Sequence, residues 1–131
     1  MKHTDIRNAV LNALEETING VTLYDGLPAV VEDGDFPVIA VYLTDAVYTG
    51  EEMDADTWQA TLHINLFLPA QIPDAELDGW MENHIYPAIE NTTALAGLIT
   101  TMVPQGYDYQ RDQEMGSWSA ADLTYTITYD M

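Results

Sequence analysis

The sequence has no cysteine and only three basic side chains, Lys2, Arg7 and Arg111, in 131 residues. Without cysteine there is no disulfide framework, no thiolate metal ligand and no cysteine nucleophile. No Lys or Arg occurs between Asn8 and Gln110. A basic patch that neutralises phosphates therefore cannot be assembled, which sets the chain against binding nucleic-acid backbone or an anionic membrane. Serine is equally scarce, at Ser117 and Ser119 only, and neither lies in a Gly-x-Ser-x-Gly elbow. Phosphate-cradling Gly-x4-Gly-Lys-Ser/Thr and dinucleotide-binding Gly-x-Gly-x-x-Gly patterns are also missing. The histidines, His3, His63 and His84, form no His-Glu-x-x-His pair; His84 is expected on the packed stripe of a helix, as a core or interface residue. No apolar run reaches membrane-spanning length, and the polar start Met-Lys-His-Thr-Asp lacks the apolar core of a signal peptide. One soluble, intracellular domain is expected.

What the chain has in excess is acid. Asp and Glu total 22, for a formal net charge of −19, while 47% of the residues are hydrophobic. That apolar share is too high for a disordered acidic segment, so the charge belongs on a folded surface. Few of these carboxylates can find a cation within the chain. The rest must be solvated, bind cations or face a partner's basic surface.

The strongest periodic stretch is 57–68, where Trp58, Ala60, Leu62, Ile64, Leu66 and Leu68 alternate with Thr57, Gln59, Thr61, His63 and Asn65. Such a period of two predicts a long strand with one buried and one wet face. Phe36-Pro37 opens a continuous apolar run, Val38 to Leu43, that predicts a strand buried on both faces. It runs on to Tyr48 with faltering alternation, which predicts a bulge. The two strands form the arms of a long hairpin whose acidic tip, Tyr48 to Asp56, is expected to stay extended and mobile through mutual repulsion.

Elsewhere, Thr4 is expected to cap a helix carrying Ile6, Val10, Leu11, Leu14 and Ile18, stopped by Asn19-Gly20. Val21-Thr-Leu-Tyr and Ala29-Val-Val read as a hairpin or one bent edge strand around Asp25-Gly26-Leu27-Pro28. Asp74 should cap a second helix, with Leu77, Trp80, Met81, His84, Ile85 and Ala88 on one stripe and Pro87 kinking or ending it near Tyr86. A shorter third helix is expected from Thr92 or Thr93 through Met102, closed by Pro104. Strands follow at 107–111 and 118–130. The predicted class is α+β, a mixed, largely antiparallel sheet with a long hairpin and two to three helices packed on it.

Three acidic clusters are candidate sites. Glu51, Glu52, Asp54 and Asp56 on the hairpin tip, and Glu32, Asp33 and Asp35, offer oxygen ligands but lack the spacing of a calcium loop, so solvated loops are the simpler reading. Asp74, Glu76 and Asp78 sit in a helical first turn, where carboxylates oppose the helix dipole favourably; they are the weak metal candidates. Arg111, in Tyr-Asp-Tyr-Gln-Arg-Asp, either pairs with Asp108 or Asp112 or offers a cation to a neighbouring molecule. Tyr107, Tyr109, Trp118, Tyr125 and Tyr129 crowd the C-terminal β region and suit either a core or an interface.

Several stretches carry a family resemblance: Phe36-Pro-Val-Ile-Ala-Val-Tyr-Leu-Thr-Asp-Ala; Tyr48-Thr-Gly-Glu-Glu-Met-Asp-Ala-Asp-Thr-Trp-Gln-Ala-Thr-Leu-His-Ile; Phe67-Leu-Pro-Ala-Gln-Ile-Pro-Asp; and the ending Asp122-Leu-Thr-Tyr-Thr-Ile-Thr-Tyr-Asp-Met. Over essentially the whole chain, the sequence resembles the minor tail protein U family, the tail terminators of lambda-like phages. The resemblance implies a non-enzymatic subunit that forms a hexameric ring on the completed tail tube, stops its polymerisation and presents a docking surface to the head-completion protein. It implies residence in the virion tail, and in the host cytoplasm during assembly, with no required cofactor. A carboxylate-lined lumen would let DNA pass without sticking. On this reading Glu51, Glu52, Asp54, Asp56, Asp74, Asp78 and Arg111 are candidates for the subunit interface or lumen, and Mg²⁺ is a candidate promoter of ring assembly. The rival reading is an acidic DNA mimic that blocks a DNA-binding enzyme; a carboxylate-based metal hydrolase is a distant third.

Overall fold

A computed structural model describes residues 1–28, 36–50, 56–113 and 115–131. Helix α1 (Lys2–Thr17) leads to strand β1 (Thr22–Asp25), and β2 (Val38–Tyr48) and β3 (Thr57–Pro69) form the long hairpin. A composite helix follows: α2 (Asp74–Trp80), a π-helical turn (Met81–Ile85) and α3 (Tyr86–Glu90). Strands β4 (Thr101–Arg111) and β5 (Trp118–Asp130) complete a five-stranded sheet of order β1-β2-β3-β5-β4. Only β1 pairs in parallel, with β2; the other three pairings are antiparallel.

The predicted inward row of β3 is the centre of the core. Ala60, Leu62, Ile64, Leu66 and Leu68 are buried beneath the helices with Ile39 and Val41 of β2 and Ala121, Leu123, Tyr125, Ile127 and Tyr129 of β5. Both helices supply apolar stripes to it, Ile6, Val10 and Leu14 from α1 and Leu77, Met81, Ile85 and Ile89 from the composite helix. The opposite face of β3 is not wet along its whole length. Phe67, Val38, Ala40 and Ala120 form a second small cluster there, flanked by Tyr24, Phe36, Tyr42 and Trp118.

The bulge lies where alternation fails, between Thr44 and Val47, with Asp45 at φ 56°, a left-handed conformation that the short polar Asp tolerates. The hairpin-tip residues Glu51, Glu52 and Asp54 lie outside the described residues, as do Ala29-Val-Val and Glu32, Asp33 and Asp35. Asp56 is described: it is exposed, and its carbonyl accepts the Met131 N–H at 2.9 Å.

Four local expectations are corrected. Helix α1 starts at Lys2, with Met1 at the N-cap and no side-chain cap; the Thr4 hydroxyl instead accepts from Arg7 at 3.4 Å. Pro73 rather than Asp74 is the N-cap of α2. No third helix forms. Residues 94–98 make turns, and β4 begins at Thr101, because Pro104 lies on an edge strand beside a bulge, where a missing N–H is tolerated. Finally, His84 is exposed and lies against the Trp80 ring, centroids 5.4 Å apart. The buried stripe runs Leu77, Met81, Ile85, Ile89 in steps of four, which leaves positions 80 and 84 one step to the side.

Pro87 neither ends the helix nor stands free of consequence. It cannot donate to the carbonyl one turn back, and its ring crowds that carbonyl. The chain widens instead: the Tyr86 N–H bonds the Met81 carbonyl, five residues back, and the helix resumes.

Leu62 is fully buried at the centre of the sheet. Leu62→Ala should cost about 2–5 kcal/mol of stability in urea unfolding. A loss below about 1 kcal/mol would mean the inward row of β3 is not the core.

Candidate functional site

Of the candidate acids, Asp74 and Asp78 meet Arg111 along one seam, where α2 runs beside β4. Residues 107, 109 and 111 all point to the helix side of the sheet, since Tyr107 registers with Leu123 and Tyr109 with Ala121, both inward residues of β5. Their polar ends reach α2 in order. Tyr107 donates to Asp78 at 2.7 Å, Tyr109 donates to the same carboxylate oxygen, and Arg111 pairs with Asp74. Four residues of helix rise about 6 Å and two residues of strand about 6.6 Å, so the two rows stay in step.

Arg111 also donates to the carbonyls of Ala70 at 3.3 Å and Ile72 at 3.0 Å, which ties down the connection from β3 to α2. Its predicted partners are corrected. Asp108 and Asp112 lie an odd number of residues from Arg111 on the strand and face the other way. Asp112 closes the β4–β5 turn, accepting from the Met115 N–H at 3.2 Å and from the Ser117 N–H and hydroxyl at 3.0 and 2.6 Å.

The two tyrosine hydroxyls, Tyr109 first and Tyr107 second, hold the Asp78 carboxyl below its usual range. The effect is reciprocal. Tyr107 is pushed up by its hydrogen bonds to Tyr109 and Asp78, and Tyr109 is pushed up chiefly by Asp78. Asp74 and Asp78 are thus committed to protein donors, and Glu76 stands exposed beside them. No group of three His, Cys, Asp or Glu side chains able to hold a metal ion occurs among the described residues.

A second polar assembly lies on the opposite face of the sheet, and its partners could not be read from sequence. His63 Nδ1 bonds Asp122 at 2.8 Å, and Nε2 bonds the Thr44 hydroxyl at 2.7 Å. The neutral Nδ1–H tautomer satisfies both contacts. Tyr42 stacks flat on the imidazole, centroids 4.5 Å apart and 6° from parallel, and Asn65 donates to its hydroxyl at 3.3 Å. The order hydroxyl, imidazole, carboxylate is that of a nucleophilic triad. Here its members are cross-strand neighbours on β2, β3 and β5, with the ring covered by Tyr42. The arrangement ties three strands together. The signal for it was present in part, since alternation puts His63 on this face, but the partners depend on a pairing of β3 with β5 that no local pattern states.

All of the chain's cations are engaged internally. Arg7 pairs with Asp25 at 2.5 Å, Lys2 donates to the Leu98 carbonyl at 3.3 Å, Arg111 is held as above, and the terminal ammonium lies 3.7 Å from Asp5. The intrachain partner of Arg111 is thus Asp74, in a pair that stays exposed. No helix of the described residues is long and apolar enough to cross a membrane.

Many of the chain's polar groups are thus tied to one another, and with 22 acids against three bases its surface is predominantly acidic. Residues 1–129 match the family described as phage minor tail protein U, and the chain belongs to that family. Its relatives include the tail tube terminator protein of Escherichia phage lambda, 63% identical over 131 residues, and that of Escherichia phage N15, 64% identical over 132 residues. Both alignments cover 100% of this chain and of the relative.

The seam gives a pH prediction. A carboxyl held low in the folded state contributes stability that is present above the ordinary unfolded value of about 3.9 and is lost as pH falls below it. Tyr109→Phe removes the larger cause, so the Asp78 carboxyl should titrate at higher pH in the variant, measured by carboxyl carbon NMR. An unchanged midpoint would show that the hydroxyl does not act on Asp78.

Proposed function

We propose that the protein is a phage tail terminator. In this reading six copies close into a ring on the head-proximal end of the completed tail tube, end its polymerisation, and offer the outer face to the head-completion protein. The protein then resides in the virion tail, and in the host cytoplasm while tails are built, and needs no cofactor. The observation that carries this is the full-length identity with two tail tube terminator proteins. The two sides of the sheet support it: one is closed by helices, the other carries the polar assembly of His63 and a small apolar cluster. A head-to-tail ring of such subunits has two unlike faces, so one can match the tube while the other refuses further growth.

Charge sets a condition on closing the ring. Six copies at −19 each carry a formal −114, and the three basic side chains of each copy already have intrachain partners. Mobile ions screen such repulsion within about 8–10 Å at physiological salt. Light scattering coupled to size exclusion should therefore show smaller species at low salt with chelator and a shift toward hexamer with salt or Mg²⁺. A hexamer indifferent to both would remove the charge condition. Monomers under every condition, including mixture with tube protein, would remove the ring.

In the same reading the hairpin tip, with Glu51, Glu52, Asp54 and Asp56, lines the lumen or reaches a neighbour, and the carboxylates there let DNA pass without binding. Asp74 and Asp78 lie near a subunit contact. Asp74→Ala should then weaken assembly more than folding, compared by scattering and by urea unfolding. Equal loss of both would reduce Asp74 to the partner that orients Arg111.

A further inference from the structure

Beside the seam, where β4 breaks register, a groove of about 330 Å³ opens between the strand and the π turn. Met81, Tyr86, Pro104, Tyr107 and Leu123 line it with largely apolar surface, and Glu82 stands at its rim. The floor is firm, since Leu123 and Met81 are only 2% and 1% exposed. At Gly106, φ 120°, there is no side chain and no atom within 4 Å of where one would project, so the space in front of the strand is open. Around the groove the charge has one sign. Glu82 and Glu90 are exposed, the Glu90 carboxylate holds the Tyr86 hydroxyl above its usual range, and Tyr107 donates to Asp78.

We infer that this groove receives an apolar side chain of a different protein, carried on a segment with Lys or Arg on either side of it. The apolar lining selects the central side chain, and the acidic rim selects its neighbours. A second copy of this chain is a poor occupant because it does not carry that pattern: its bases are Lys2, Arg7 and Arg111, and Ile6, the apolar residue between the first two, is buried. Strand addition along β4 is opposed as well. Pro104 offers no N–H and the bulge after it interrupts the hydrogen-bonding repeat, so the partner enters by a side chain rather than by extending the sheet. The π turn contributes directly: it carries Met81 on the core side and Glu82 at the rim, with Tyr86 immediately after it.

The test uses the full chain and a fluorescein-labelled peptide, Gly-Lys-Arg-Leu-Arg-Lys-Gly, followed by polarisation at physiological salt. Binding should saturate. Replacing the peptide's Leu by Gly, or Tyr86 by Ser in the protein, should weaken it about tenfold or more, about 1.4 kcal/mol. Glu82→Gln should weaken it a few-fold, by an amount that shrinks as salt rises. Glu15→Gln, on the last turn of α1, should leave it unchanged. Each variant is first checked for a wild-type melting curve, and Glu82, being exposed, serves if Tyr86→Ser does not fold. No binding, or equal affinity for the Leu and Gly peptides, would overturn the inference, the latter reducing it to attraction between opposite charges. So would wild-type affinity in Tyr86→Ser. Self-association lost in Tyr86→Ser without peptide binding would assign the groove to a second copy and likewise overturn it. Peptide binding requires no ring, so this result stands or falls apart from ring formation.

Discussion

The structure depends on the inward row of β3. That strand pairs along its whole length with β5 and along most of it with β2, so it fixes the register of the central three strands. Its alternation admits one solution. A slip of one residue would turn Leu62, Ile64 and Leu66 to the outer face and bring His63 and Asn65 beneath the helices. The cost of burying those polar groups without partners would add to the lost apolar burial. With the register set, His63 falls beside Asp122 and Thr44, and its polar atoms are satisfied on the face where they lie.

Scarcity of cations is the second constraint, and the three bases are spent in a consistent way. Each joins segments distant in sequence: Lys2 reaches the turn before β4, Arg7 joins α1 to β1, and Arg111 joins β4 to the start of α2. Exposed pairs of this kind are worth about 0–1 kcal/mol each, so they position segments more than they hold the fold together. The consequence lies outside the molecule. With its bases already partnered, the charged part of the surface is complementary to basic partners or to mobile ions.

The sheet and its hairpin were legible in the sequence because the signal there is periodic over many residues. Trp58 to Leu68 and Leu123 to Tyr129 alternate cleanly, and the failure of alternation after Thr44 marked the bulge. The third helix was misread because Leu95, Leu98, Ile99 and Met102 satisfy helical spacing while serving turns and the start of an edge strand. Only tertiary pairing with β5 decides between the two. Arg111 was misassigned for a related reason: sequence neighbours on a strand point to opposite faces, and its true partner, Asp74, is 37 residues away. His84 was displaced by a stripe that advances in steps of four. Asp74 and Asp78 stood out in the sequence as first-turn carboxylates, but Tyr107 and Tyr109, which hold Asp78, were visible only as part of an aromatic crowd.

The two edges of the sheet bear on the proposed role as a terminator. At one edge β1 is only four residues long and parallel to its neighbour. At the other, β4 is long but carries Pro104 and a bulge, and its inward side chains are tied to α2. Neither edge invites another strand, which is the simplest way for a β protein to polymerise without limit. In the proposed ring, copies would then meet through side-chain surfaces rather than by extending the sheet. A protein that ends a polymer must avoid becoming the next unit of one, and blunted edges with unlike sheet faces meet that requirement within a single small domain.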